Sequence, residues 1–452
     1  MTAPKGSALV RRIASLAWPV LIGQWASIAF GVADTIMVGH SSPQDLAAMA
    51  LGSSIYASVF VGLMGVVLAL TPIIAQHYGG QRHEAIGKTY MQGLWLCLWL
   101  TLVGDVAMGF PDVWLVMSKV DPGATTRVGD YLHALMFALP AALVFRTVYA
   151  LNVAVSRPKV TMAINLIGLA IKIPLNYVLV YGKFGLPALG AAGCGYATAI
   201  VMWLSCGIAL LALSRDPFYR KFRIDFDWPR WTRQRELLRL GIPTGLSYIV
   251  EVTSFTFMTL LVAGLGTTIT GGHQIVANLA ALCYMLPLSL SVATSSLVAQ
   301  SIGSNDLAGA KRITRAGLRV ALVVALVTSS SLWFGRSAVI SIYTDDEAVR
   351  HIALSLIGFV AIFHCFDAIQ GMCGFILRAY KHAVAPMLIY TVSLWGVGLF
   401  GGWWIAFHPV FNAAPLGAKG LWGAATFSLG LAACVLLFWM LRVSRRQQSA
   451  RA

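Results

Sequence analysis

The chain has 452 residues, 58% of them hydrophobic and only 11% charged, with a mean hydropathy of +0.76. A soluble protein of this length carries roughly 25% charged residues on its surface, so a water-soluble fold is excluded. The net charge of +16 does not point to nucleic acid, because the basic residues cluster in alternate loops between apolar runs.

In chain order, those runs predict spans near 14–39, 48–78, 90–111, 128–152, 160–182, 188–213, 240–265, 273–301, 316–335, 351–377, 383–407 and 418–441. Crossing about 30 Å of hydrocarbon takes about 20 helical residues. With no water at that depth, backbone groups must pair inside each span, so the spans are helices. The fold class is an all-α integral membrane protein with twelve transmembrane helices. The amino terminus and the stretches 79–89, 153–159, 214–239, 303–319, 378–382 and the carboxyl tail hold 25 of the 33 Lys and Arg. The intervening loops hold Lys119, Arg127, Lys183, Arg336, Arg350 and Lys419, while Arg146 and Lys172 stand inside spans. Basic loops face the cytoplasm, so both termini lie inside, which requires an even number of crossings. The basic loops are expected to meet anionic membrane lipids. The first apolar run is too long for a signal peptide and continues past Asp34, predicting a retained helix. The seven cysteines all sit in apolar spans without metal spacing and read as packing residues.

The chain repeats itself. Pro19 and Pro243 each fall near the start of a span, 224 residues apart. Ala75-Gln76-x-x-Gly79 and Ala299-Gln300-x-x-Gly303 close the second and eighth spans at the same offset. Leu189-Gly190-Ala191-Ala192-Gly193 and Leu416-Gly417-Ala418-Lys419-Gly420 open the sixth and twelfth at an offset of 227. Six spans separate each pair, so the halves share one orientation, and parallel repeats of this kind mark transporters. The expected division is an amino-terminal lobe over 1–213, a basic linker over 214–239 and a carboxyl-terminal lobe over 240–452. Prolines inside spans (Pro19, Pro140, Pro174, Pro243, Pro287 and Pro386) imply kinks that free backbone carbonyls.

Ionisable groups inside a bilayer are expensive and therefore informative. The carboxylates within spans include Asp34, Asp105, Glu251 and Asp367. Glu251 lies roughly 18 Å along a helix past Arg239, and Asp367 roughly 16 Å before Arg378, at 1.5 Å per residue. Both therefore fall near the midplane of the second half at similar depth, with no cationic side chain assignable to them. Such a pair can share a proton or ligate a hard cation such as Na⁺, which is coupling-ion chemistry. Asp34 belongs to the first half and matches Met258 at the 224 offset, so the halves differ chemically. Lys172 and Asn176, one turn apart around Pro174, offer Asp34 a cationic or amide partner. Whether Lys172 reaches it is open, since helical side chains lean toward the amino end. Asp105 and Arg146 stand nearer span ends and read as structural. His77, His133, His273, His364, His382 and His408 show no metal-gathering spacing. No Walker loop, nucleophile elbow or HExxH appears. An enzyme is not expected, and without an ATP-binding domain the energy for uphill transport has to come from an ion gradient.

Several segments resemble the multidrug and toxic compound extrusion family, in its bacterial NorM-type branch. They are GVADTIMVGH around Asp34, KIPLNYVLVYGKFGLPALGAAGCGYATAI at 172–200, SYIVEVTSF around Glu251, GGHQIVANLAAL and the AQxxG pair. The likeness covers nearly the whole chain. It implies two six-helix bundles around a central cavity. It also implies antiport of small-molecule cationic or amphipathic substrates against Na⁺ or H⁺, with no cofactor and no nucleic-acid partner, by a monomer in the bacterial inner membrane. By position, Asp34, Lys172 and Asn176 fall on the amino-lobe polar site, Glu251 and Asp367 on the carboxyl-lobe cation site, and Asn278 and Phe363 on the cavity. There are two departures. The branch usually reads Asn-Ile-Pro-x-Asn where this chain has Lys172-Ile173-Pro174-Leu175-Asn176, and a fixed charge there would take Asp34 out of proton traffic. A tyrosine often stands one turn before the carboxyl-lobe aspartate, here Phe363, so an oxygen is lost from a cation shell. A lipid-linked saccharide flippase of the same superfamily is the alternative; it would require a cationic cavity.

Overall fold

The computed structural model describes residues 6–110, 114, 122–409 and 414–449. Lys5, Lys119 and Arg451 of the charge pattern, and the end of the third expected span at 111, lie outside them. Among the described residues there is no strand, as a chain without water to bond its backbone requires. Twelve helices among the described residues are long and apolar enough to cross a membrane: α1 (Ser7–Gly39), α2 (Pro43–Gly79), α3 (His83–Met108), α4 (Pro122–Ala154), α5 (Pro158–Tyr181), α6 (Gly190–Arg215), α7 (Trp231–Ala263), α8 (Thr267–Gly303), α9 (Leu307–Phe334), α10 (Glu347–Ala379), α11 (Val384–Phe407) and α12 (Gly417–Ser449). Each expected span falls on one of them. The helices α3, α7 and α9 begin seven to nine residues before their apolar runs. Their polar first turns extend beyond the hydrocarbon, where hydropathy does not register a helix.

Side chains set several starts. Asp306 accepts from the Gly309 N–H at 2.7 Å to open α9, and Asp346 accepts from Ala348 and Val349 at 2.8 and 3.0 Å to open α10. Ser42 caps α2, with Pro43 at its first position. Two helices are irregular within the span. Helix α2 breaks after Val67, just ahead of Pro72, which has no N–H for the Leu68 carbonyl; Thr71 N–H takes that carbonyl instead at 3.1 Å. Helix α11 winds as a π-helix over Thr391–Phe400.

The duplication extends to the backbone. After α2 the residue in the left-handed region is Gln81, and after α8 it is Asn305, 224 residues on. Their closing hydrogen bonds match one for one: Arg82 to His77 at 2.9 Å and Asp306 to Ser301 at 2.9 Å. Ser156 after α4 and Lys381 after α10 form a second such pair, offset by 225, and Gly190 and Gly417 a third, offset by 227.

Contacts divide the chain into two compact units, Ile22–Gly245 and Leu246–Ala452 with Met1–Leu21. The two breaks are again 224 residues apart, three residues after Pro19 and Pro243. The basic linker is not a loose tether. Asp216 caps the short helix Pro217–Arg220 and pairs with Arg157 at 2.5 Å. Beyond it the chain lies along α3, where Gly87 makes room: a Cβ there would meet the Phe222 and Arg223 carbonyl oxygens at 2.3 and 2.4 Å. Buried Gln92 of α3 donates to Trp228 O at 2.9 Å and accepts from Arg230 N at 2.9 Å, and the Trp95 indole donates to Asp227 O at 3.0 Å.

Candidate functional sites in the two halves

Asp34 of α1 and Lys172 and Asn176 of α5 meet inside the Ile22–Gly245 unit. The Lys172 ammonium lies 2.9 Å from Asp34 Oδ2, and Asn176 Nδ2 donates to Asp34 Oδ1 at 2.7 Å. Lys172 also donates to Thr198 Oγ1 at 2.6 Å and stands 5.4 Å above the Phe30 ring. With Lys172 1% exposed, Asp34 8% and Asn176 fully buried, this is a closed ion pair, and the question of whether Lys172 reaches Asp34 is answered. Gly168, one turn before Lys172, permits the reach. A Cβ there would stand 3.2 Å from Phe30 and 3.3 Å from Val201, so its absence lets α1 and α6 close over the lysine. One atom of the site is unused: Asn176 Oδ1 is buried without a hydrogen-bond partner among the described residues.

The second group lies in the unit that holds Leu246–Ala452. Glu251 of α7 is half-buried and Asp367 of α10 is buried, and they are near enough to repel each other. The Tyr284 hydroxyl of α8 donates to Glu251. Gln370, one turn after Asp367, donates to its Oδ1 at 2.8 Å, and Tyr390 of α11 donates to the Gln370 carbonyl at 3.4 Å. Buried Arg378, in the last turn of α10, donates to the Tyr248 hydroxyl at 3.3 Å and packs on the Tyr248 and Phe375 rings at 5.0 and 4.8 Å. Its charge bears on Glu251. The expectation that no cation is assignable to this pair is revised for Glu251 alone, since among the described residues no ion pair joins a cation to either carboxyl. Arg378 reads as a loop residue because the apolar run ends at 377, but the helix carries it inward through Ala379. The Trp395 indole, on the π-helical stretch, donates at 3.3 Å to the carbonyl of Val250, next to Glu251. Two carboxyls, a phenol and an amide form an oxygen-rich set of the kind a hard cation takes. Among the described residues no group of three or more His, Cys, Asp and Glu gathers.

The sequence pattern of the MatE family matches residues 19–178 and 243–404. The chain belongs to this family of multidrug and toxic compound extrusion proteins. The two MatE segments begin at Pro19 and Pro243, so the family pattern itself occurs twice, once in each half. The chain is 42% identical over 452 residues to a probable multidrug resistance protein NorM of Aromatoleum aromaticum, covering 99% of this chain and 97% of that one. It is 35% identical over 444 residues to the corresponding protein of Neisseria meningitidis serogroup B, covering 97% and 95%. A solved MATE structure in the bent conformation superposes with a TM-score of 0.88 at 17% identity, covering all of both chains. That similarity carries the fold.

Within this MatE chain the remaining expected residues are placed differently from one another. Phe363 is 6% exposed and packs edge-on against Phe255 and Trp422 at 5.7 and 6.0 Å, so it fills an aromatic core one turn from Asp367. That core also holds His273, whose Nδ1 accepts from the Trp422 indole at 3.1 Å while Nε2 meets Thr259 at 3.1 Å. Asn278 is exposed on α8, with Gln274 as its partner at 3.5 Å. Arg146 stacks on Phe60 and Tyr149 at 5.7 and 5.6 Å, in keeping with a structural role. Sequence reading missed Tyr248, Tyr284, Gln370 and Arg378. Two of them were detectable: Tyr248 and Gln370 stand three residues from Glu251 and Asp367, on the same helix faces.

Proposed function

We propose that this protein is a secondary active multidrug efflux transporter of the bacterial inner membrane, exchanging organic cations or amphipathic drugs for Na⁺ or H⁺ by alternating access. Family membership and relatives named as multidrug resistance proteins support the transport role. The observation that carries the coupling is the Glu251–Asp367 pair, two mutually repelling carboxyls served by Tyr284 and Gln370. A site of that kind gains from binding a cation or a proton and can release it again. Asp34 has a permanent counter-charge and is not an exchange site.

In this reading the lobes 1–213 and 240–452 are the working halves, joined by 214–239, with both termini cytoplasmic. Each chain carries both sites and acts as a monomer. An ion and a substrate drive each other only if they favour different conformations, and their differential affinities set how far the population shifts. The flippase reading loses support, because Lys172, the cation it would call on, is neutralised by Asp34.

The test is dye movement in vesicles that contain only this protein. An imposed Na⁺ or H⁺ gradient should drive accumulation of an ethidium-like cation against its own gradient. Dye that only equilibrates under both gradients would sink the coupling.

A further inference from the structure

The basic end of the Ile22–Gly245 unit holds a cavity of about 730 Å³ that belongs to neither carboxylate site. Its walls are the end of α2 (Ile73, His77), the turn after it, the first turns of α3, and the linker with the start of α7. Five lining residues are cations, Arg82, Lys88, Lys221, Arg223 and Arg233, against two carboxylates, Glu84 and Glu236. Glu84 is engaged by Lys88, and Arg233 by Asp227 at 3.3 Å. Among the described residues Arg82, Lys221 and Arg223 form no ion pair.

The helix start adds to this wall. Helix α3 starts at its edge with no side chain capping its N–H groups, and such N–H groups favour an anion. His83, on the same wall, is half-buried and packs its ring against Tyr78 and Phe222 at 6.3 and 5.8 Å. Lys221 stands 3.9 Å above the Phe218 ring, and burial, then the charge of Arg157, hold its ammonium below the ordinary lysine range. The wall is preformed, since Gln92, Trp95 and Gly87 pin the linker to α3, and little ordering remains to oppose binding.

The surroundings indicate the source of the anion. On the linker beside the cavity, Phe226, Trp228 and Trp231 are 66%, 69% and 72% exposed. Aromatic rings displayed at the ends of spanning helices mark the headgroup layer of a membrane. We propose that this cavity binds the phosphate-bearing headgroup of an anionic membrane lipid, with Arg82, Lys221 and Arg223 around the phosphate and the first turn of α3 beneath it. A cavity of about 730 Å³ has room for a whole glycerophosphate head, and a single bound lipid joins the α2–α3 turn to the linker. The site stands independently of the transport reading.

The experiment is native mass spectrometry of the full chain in detergent with added phosphatidylglycerol, phosphatidylcholine or inorganic pyrophosphate. The wild type should retain phosphatidylglycerol and release phosphatidylcholine. Lys221→Gln with Arg223→Gln should weaken retention roughly ten-fold, since charges near a headgroup act together. Arg82→Gln, at an exposed position outside the packed linker, should weaken it about three-fold and carries the test if the double variant does not fold. Arg315→Gln with Arg319→Gln, which removes as much charge from the basic end of α9, should leave retention unchanged. An equal loss in that control would show diffuse attraction to basic loops and overturn the site. So would unaltered retention in both cavity variants. Displacement of the lipid by pyrophosphate at equal concentration would assign the cavity to a soluble anion and overturn the lipid.

Discussion

The two halves share a backbone plan and exchange their chemistry. Where the amino-terminal half places Asp34, Lys172 and Asn176, the equivalent positions of the other half, at offsets of 224 and 226, are Met258, Gly398 and Gly402. Where the carboxyl-terminal half places Glu251, Asp367 and Arg378, the amino-terminal half has Ser27, Ala142 and Val153. Matched left-handed turns keep the architecture symmetric while the buried charges differ between the halves. One group is a closed ion pair with an amide on its second oxygen. The other is a like-charge pair, with a guanidinium that bears on Glu251 but hydrogen-bonds to Tyr248. A buried charge with a permanent partner holds helices together; one without it can change partners.

The sharpest test of that contrast is removal of each carboxylate. Glu251→Gln or Asp367→Asn should abolish gradient-driven dye efflux while equilibrium dye binding in detergent changes by less than about three-fold, because ion and substrate meet only through a coupling energy. Ion-driven transport at the wild-type rate in both variants would break the comparison. Asp34→Asn should act on folding instead, leaving Lys172 buried without its counter-charge at a cost of about 3–5 kcal/mol, read as lost thermal stability in detergent. Lys172→Asn restores the residue usual in the branch and should cost less, since Asp34 keeps its bond from Asn176. The double variant should recover most of the Asp34→Asn loss. Additive losses would mean that the pair is not a unit.

Smaller effects sharpen the picture at its edges. Tyr284→Phe removes the hydroxyl donated to Glu251 and should cost about 1 kcal/mol of ion binding. The concentration of the driving ion at half-maximal efflux should then rise about five-fold with maximal rate preserved. The smallest effect concerns the half-buried pair of Asp216 and Arg157, the counterpart at the end of the spans of Asp34 and Lys172. The Phe218 N–H first, and Arg157 after it, hold the Asp216 carboxyl below the ordinary aspartate range. A depressed carboxyl stabilises the fold above its unfolded value and loses that contribution as pH falls through the folded one. Protection of the 217–223 amides, corrected for intrinsic exchange at each pH, should therefore fall on acidification below the usual aspartate range. The same protection in Asp216→Asn should be lower at neutral pH and insensitive to that acidification.

Much of this was legible in the sequence because a membrane simplifies the problem. Twelve apolar runs can only be helices, and Asp34, Glu251 and Asp367 stand out because almost nothing else charged lies at that depth. The partners are less visible. Tyr284 looks like any aromatic residue in an apolar helix until α8 is placed against α7. Arg378 looks like a loop cation because hydropathy ends one residue before it, although the helix does not. The linker reads as a hydrophilic spacer, whereas Gln92 and Gly87, on a different segment, determine that it lies along α3. The break in α2 follows from Pro72, and the π-helical stretch of α11 has no composition signal at all.

That stretch gives α11 a property its counterpart lacks. Helix α5 has Pro174 inside it, a bend written into the covalent chain. Over Thr391–Phe400 there is no proline, only hydrogen bonds reaching one residue further than in an α-helix. Moving those bonds back by one residue turns one end of the helix against the other by about 100° and breaks no covalent constraint. Trp395 rides on that segment, with its indole on the carbonyl beside Glu251. Rewinding would lift the indole from that carbonyl, so the winding of α11 is tied to the α7 backbone beside Glu251.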